Sequence, residues 1–128
     1  MKKIRFCLAL LPVLFAPKVA RADSCVAVRL ESRSMQSGDQ VTYEIDFVNR
    51  CGVERSLYWC AENPAAPVPP QIACPSPLAS PTTPVTHWYA LAARRRFQWT
   101  LPKGTRIRFR DCPAGERPTF GFTCAPAF

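Results

Sequence analysis

The sequence predicts an all-β fold, a small disulfide-stabilised antiparallel β-sandwich (or partly open barrel) of six to seven short strands. Three observations carry this. Apolar and polar residues alternate with period two over several stretches, the pattern of half-buried strands. Turn residues punctuate those stretches. Six cysteines, Cys25, Cys51, Cys60, Cys74, Cys112 and Cys124, lie beyond the first 22 residues, an even count that reads as a disulfide framework.

The first two strands are the clearest. Val26, Val28 and Leu30 alternate with Ala27, Arg29 and Glu31; Val41, Tyr43, Ile45 and Phe47 alternate with Thr42, Glu44, Asp46 and Val48. Between them Ser37-Gly38-Asp39-Gln40 supplies a turn, with Gly38 able to take positive φ. Folding about Gly38 and Asp39 sets Cys25 beside Cys51 or Gly52, and Glu31 and Arg33 across from Asp46 and Glu44. Cys25–Cys51 is therefore the first expected bond, and the two carboxylates on this wet face are read as ordinary cross-strand partners.

Residues 55–60 (RSLYWC) form a short aromatic strand candidate. The stretch 64–84 holds eight prolines in 21 residues. Proline lacks the N–H that a ladder needs, so this stretch is expected to be a loop. Residues 89–96 read as strand and bend. Phe97, Trp99 and Leu101 alternate with Gln98 and Thr100, Pro102-Lys103-Gly104 makes a turn, and Ile107 and Phe109 resume the alternation. That predicts a second hairpin with Arg96 opposite Arg110 and Gln98 opposite Arg108. Residues 120–124 (FGFTC) are expected to be the last strand. A turn at residues 115–118 brings Cys112 near Cys124, and the remaining pair, Cys60 with Cys74, closes the proline stretch.

Residues 1–22 have a basic start (Lys2, Lys3, Arg5), a short apolar run and Ala20-Arg21-Ala22, the layout of a secretory signal peptide. The expectation is export to the periplasm or beyond the cell, with residues 23–128 as a single β domain and no transmembrane segment after cleavage. The whole chain carries net charge +8, but five of its seventeen bases lie in residues 1–22, leaving twelve against nine acids, net +3. Nucleic-acid binding is not expected at that charge. The charge is uneven: residues 23–62 carry four arginines and seven acids, residues 63–128 eight bases and two acids.

Neither C-x-x-C nor C-x-x-C-H occurs and His87 is the sole histidine, so no metal or cofactor is expected. No G-x-S-x-G, H-E-x-x-H or phosphate-loop motif accompanies His87, and the chain is read as non-enzymatic. A small hydrolase using His87 is the alternative that would need a carboxylate and a hydroxyl folded beside it.

The row Arg106, Arg108 and Arg110 poses the functional question. Alternation explains why these positions are polar. It does not explain why all three are cationic, because like charges at that spacing repel unless partnered. Arg94, Arg95 and Arg96 lie across the predicted turn, and Trp88 and Tyr89 precede them. Together these eight residues are the candidate binding surface of the predicted basic hairpin, with an acidic protein or anionic envelope component as partner. A solvated, internally paired face is the competing reading. A further alternative is an inhibitor or immunity-type protein that presents the clipped proline loop to a partner enzyme.

Overall fold

A computed structural model describes residues 24–34, 38–75 and 80–126. The predicted signal, residues 1–22, lies outside the described residues, as do residues 76–79 of the proline-rich stretch and Ser37 of the first turn. The strands are β1 (Val26–Ser34), β2 (Gln40–Asn49), β3 (Arg55–Glu62), β4 (Tyr89–Leu91), β5 (Arg94–Pro102), β6 (Arg106–Pro113), β7 (Glu116–Pro118) and β8 (Cys124–Pro126). They form three antiparallel sheets, ordered β1-β2-β5, β4-β3-β6 and β7-β8. The count exceeds the expected six or seven because three of the strands, β4, β7 and β8, have only three residues each.

The two larger sheets face each other across one core, as period-two burial requires. Val41, Tyr43, Ile45, Phe47 and Leu101 project from the first sheet; Leu57, Trp59, Ala61 and Leu91 project from the second. Phe47 is fully buried between them. Its ring lies 6.0 Å from those of Trp59 and Phe97 and 5.6 Å from that of Phe109, within the range of edge and tilted aromatic contacts. Trp99 is only partly buried against this cluster.

The three disulfides pair as expected, two at hairpin ends and the third around the proline stretch: Cys25–Cys51, Cys112–Cys124 and Cys60–Cys74, with Cα–Cα separations of 5.3, 5.7 and 4.8 Å. Three such bonds place folding in an oxidising compartment.

Three sequence-based expectations are corrected. First, Glu44 faces Glu31 and Asp46 faces Arg29, so the β1–β2 register is displaced by two residues from the predicted one. A two-residue shift keeps every side chain on its own face, and burial alternation is blind to it. Second, there is no basic hairpin. β5 pairs with β2, putting Arg96 opposite Asp46, while β6 pairs with β3, putting Arg110 opposite Tyr58. The turn between them is a crossover from one sheet to the other. Lys103 N donates to Asp39 O (2.9 Å), and Asn63 Nδ2 to Lys103 O (3.0 Å) and Thr105 Oγ1 (3.1 Å). The turn is thereby anchored to the start of β2 and the end of β3, and Gly104, at φ 87°, allows the bend.

Third, residues 120–123 are the tip joining β7 to β8 rather than a strand. Thr119 N donates to Thr123 O (2.8 Å) and Phe122 N to Thr119 O (3.0 Å). Gly121 N reaches Pro81 O at 2.9 Å, and a Cβ on Gly121 would stand 2.6 Å from that oxygen. Only glycine permits this approach.

Candidate functional site

The arginines expected to form one patch are separated: Arg94 and Arg96 lie on the outer face of the first sheet, Arg106, Arg108 and Arg110 on that of the second, and Arg95 on the Phe47 side of β5. On the first sheet, Asp46 is flanked across strands by Arg29 and Arg96. Arg94 Nε donates to Asp46 Oδ1 at 2.9 Å, and Arg96 Nε stands 3.7 Å from Oδ2. Arg33 reaches Glu44 at 3.5 Å. Hydrogen bonding from Arg94 holds the Asp46 carboxyl below the usual carboxylate range against an opposing effect of burial, and Arg96 and Arg29 add to the lowering. A carboxyl depressed in the folded state contributes stability that is present above its unfolded value, near 3.8, and is lost as pH falls through the folded value. Arg94→Gln is expected to lower stability modestly at pH 7, because the arginine is half exposed. Urea melts of both proteins from pH 7 to pH 2 check this: the deficit should shrink below pH 4 and vanish once Asp46 is protonated.

On the second sheet, Arg106, Arg108 and Arg110 do share one outer face, opposite Glu62, Cys60 and Tyr58. Glu62 lies 3.6 Å from Arg106 and 3.8 Å from Arg108. The Arg108 guanidinium stacks 4.2 Å above the Phe122 ring, and Arg110 Nε is 3.4 Å from Cys124 Sγ. Phe122 holds a left-handed backbone, φ 63°, which a bulky residue adopts only under constraint. Its ring is fixed between Arg108 and Tyr58, whose ring is 5.6 Å away. The arginine row is thus the seat of the C-terminal hairpin, clipped there by Cys112–Cys124.

A cleft of about 140 Å³ opens at the edge of the same sheet. β4 pairs with β3 only from Arg55 to Leu57. Further along, Ala61 N donates to Ile72 O (2.6 Å) and Cys74 N to Ala61 O (2.9 Å), so the proline loop takes up the edge again. Trp59 lies between these two attachments. Successive strand residues direct their backbone groups to alternate sides, so Trp59 N–H and C=O point to the same edge as those of Ala61. That edge opens into the cleft. Tyr58 and Phe120 line it from the sheet and the hairpin, Gln71 and Ile72 from the loop, and His87 and Tyr89 from the segment before β4. Burial pushes the Tyr58 hydroxyl above its ordinary value, against the pull of Arg108, so it is present there as a neutral group.

Charge and polarity mark this end of the molecule. Arg95 stacks 4.7 Å over Tyr89, and Arg117 4.1 Å over Trp88, which is 39% exposed. Among the described residues, no carboxylate lies within ion-pair distance of either guanidinium. Two buried side-chain donors, Trp59 Nε1 and Arg117 Nε, have no hydrogen-bond partner. An orphaned buried donor is costly, and both belong to residues at the cleft or stacked on its neighbour. Among the described residues, the cleft lining includes His87, Thr86 and two tyrosines and no Asp or Glu.

Of the eight predicted binding residues, the structure puts Tyr89 in the cleft lining, with Arg95 stacked on it and Trp88 next to it in the chain. It sends Arg94 and Arg96 to Asp46, and Arg106, Arg108 and Arg110 to Glu62 and the C-terminal hairpin. Sequence reasoning missed Arg117, Trp59, Tyr58 and Phe120. Arg117 sits in a turn-like stretch with no alternation to mark it. Trp59 alternates as a core residue and is one; only the gap beside its backbone makes it part of a site.

Among the described residues, no group of His, Cys, Asp and Glu side chains is placed to hold a metal ion, and no helix is long and apolar enough to cross a membrane. No protein-family model, curated protein or solved structure matches the chain.

Proposed function

We propose that the protein is a non-enzymatic binding module, exported to the periplasm or beyond the cell, that takes an acidic protein segment at the cleft beside Trp59. The observation that carries this reading is the pair of arginines, Arg95 and Arg117, stacked on aromatic faces without carboxylate partners next to the cleft. Stacking fixes the planes of the guanidinium groups while leaving their N–H edges able to receive carboxylates in pairs. The open backbone edge at Trp59 favours a protein segment over an anionic polymer, because it offers hydrogen bonds to a peptide backbone. The arginines of the two outer faces, Arg94, Arg96, Arg106, Arg108 and Arg110, supply a positive field around the site rather than its contacts.

The test is binding of a poly-glutamate peptide, and capture of partners from envelope extract, by the disulfide-bonded protein and two variants. Arg95→Ala/Arg117→Ala is expected to weaken binding about 30-fold or more, on the order of 1 kcal/mol for each lost charge-assisted contact. Arg106→Ser/Arg108→Ser/Arg110→Ser, checked for three intact disulfides, is expected to bind within about threefold of the unaltered protein at physiological salt, where distant charges are screened. The reverse ranking would return the site to the arginine row. Equal binding by all three proteins would refute a cationic site of either kind.

A second reading, an inhibitor or immunity-type protein, draws on the rigidity of the proline loop. Cys60–Cys74 closes it, Asn63 Oδ1 accepts from Ala65 N (2.8 Å) and Ala66 N (3.0 Å), and Val68 and Ile72 pack against the core. Deletion of residues 65–71 would abolish partner capture under that reading.

A further inference from the structure

The strand β1 forms one margin of the first sheet, with β2 on one side and, among the described residues, no strand on the other. Arg50 N donates to Cys25 O at 2.8 Å, so odd-numbered residues of β1 direct their backbone groups at β2. By alternation, Val26, Val28, Leu30, Ser32 and Ser34 direct theirs outward along the margin. The strand is nine residues long with Leu30 at its centre. Leu30 is 41% exposed.

The outer face of this strand carries charges that, among the described residues, make no close ion pair in the monomer. Glu31 lies directly opposite Glu44, a destabilising like-charge pair, and Glu44 is already within reach of Arg33. Arg29 lies opposite Asp46, which Arg94 and Arg96 already hold. Among the described residues, neither Arg29 nor Glu31 makes an ion pair within 4 Å.

We infer that two copies of this chain pair antiparallel through β1, about a two-fold axis at Leu30, joining their first sheets into one six-stranded sheet. That axis gives the longest overlap available: Val26 meets Ser34 of the other copy, Val28 meets Ser32, and Leu30 meets Leu30. All five outward-facing positions fall into hydrogen-bonded pairs. The same register places Arg29 directly opposite Glu31 of the other copy, twice, in the closely spaced non-hydrogen-bonded pairs on the outer face. The two charges lacking a close partner in the monomer become each other's partners, and the exposed central leucines cover one another. A shift by two residues in either direction shortens the ladder and moves Leu30 off Leu30. The isologous arrangement closes on itself and uses up the β1 edge of both copies, so pairing through β1 stops at a dimer. This inference is independent of the cleft, which lies at the other sheet.

Sedimentation equilibrium of the exported, disulfide-bonded protein over a concentration series tests it. A reversible monomer–dimer equilibrium is expected. Arg29→Glu replaces two attractive pairs with two repulsive ones and should weaken dimerisation about tenfold. The exchange Arg29→Glu/Glu31→Arg should restore it to within about threefold of the unaltered protein. Ser32→Pro removes an outward N–H without touching the β1–β2 ladder, and should abolish the dimer while the monomer keeps its circular dichroism and its three disulfides. A protein that stays monomeric throughout the series overturns the inference, as does a dimer indifferent to Ser32→Pro. A dimer weakened by the single charge change and not restored by the exchange overturns the register.

Discussion

Asp111→Asn is expected to destabilise the domain by about 3–5 kcal/mol, the cost of breaking a buried ion pair by removing one partner. Asp111 is 1% exposed and its partner Arg55 6%. One oxygen of Asp111 accepts from Arg55 Nε (2.9 Å) and Cys25 N (2.8 Å), the other from Ser24 Oγ (3.0 Å). A residue of β6 therefore ties the start of the first sheet to β3 of the second. Asparagine keeps the shape but takes the carboxylate from the buried guanidinium, leaving that charge without its counter-ion. Chemical denaturation at neutral pH with an unchanged dependence on denaturant would give the loss directly. A cost below about 1 kcal/mol would mean that the pair is far better solvated than its burial indicates.

Full reduction of the three disulfides at neutral pH is expected to unfold the protein. Each bond closes a modest loop, with sequence separations of 26, 14 and 12 residues. In the chain-entropy picture each is worth about 3 kcal/mol, roughly 9 kcal/mol together, comparable with the whole stability of a small domain. Loss of far-ultraviolet dichroism and of fluorescence from the buried Trp59 on reduction, with recovery on reoxidation, would show it. The C-terminal hairpin should be the first part released. It is a two-stranded ribbon with three residues to a strand, too small to persist alone, and Cys112–Cys124 holds it against β6. A reduced protein that keeps its dichroism would show instead that the core around Phe47 suffices.

The alternation of residues was enough to determine β1, β2, β5 and β6, because a half-buried strand must place one side chain in two in the core. Val41, Tyr43, Ile45 and Phe47 therefore announced both β2 and its buried face. The cysteine positions were legible through the same geometry, since residues at the ends of a hairpin, or on either side of a tight loop, must come close in space. What alternation cannot convey is which strand is the neighbour. β5 and β6 each read correctly as strands, but their pairing was decided by contacts remote in sequence, Lys103 to Asp39 and Asn63 to Thr105, which turn the chain from one sheet to the other.

The charges show the same division. Sequence alone determined that Arg106, Arg108 and Arg110 share a face, a consequence of period two. Only the tertiary structure decided what that face meets: Glu62 and a hairpin tip held by Phe122, Thr119 and a glycine pressed against Pro81. It also decided that Arg95 stacks on Tyr89 and Arg117 on Trp88, two aromatic residues that precede or begin β4. A cleft is a gap between elements, formed by where β4 stops and the proline loop resumes, and no local pattern of residues encodes that distance.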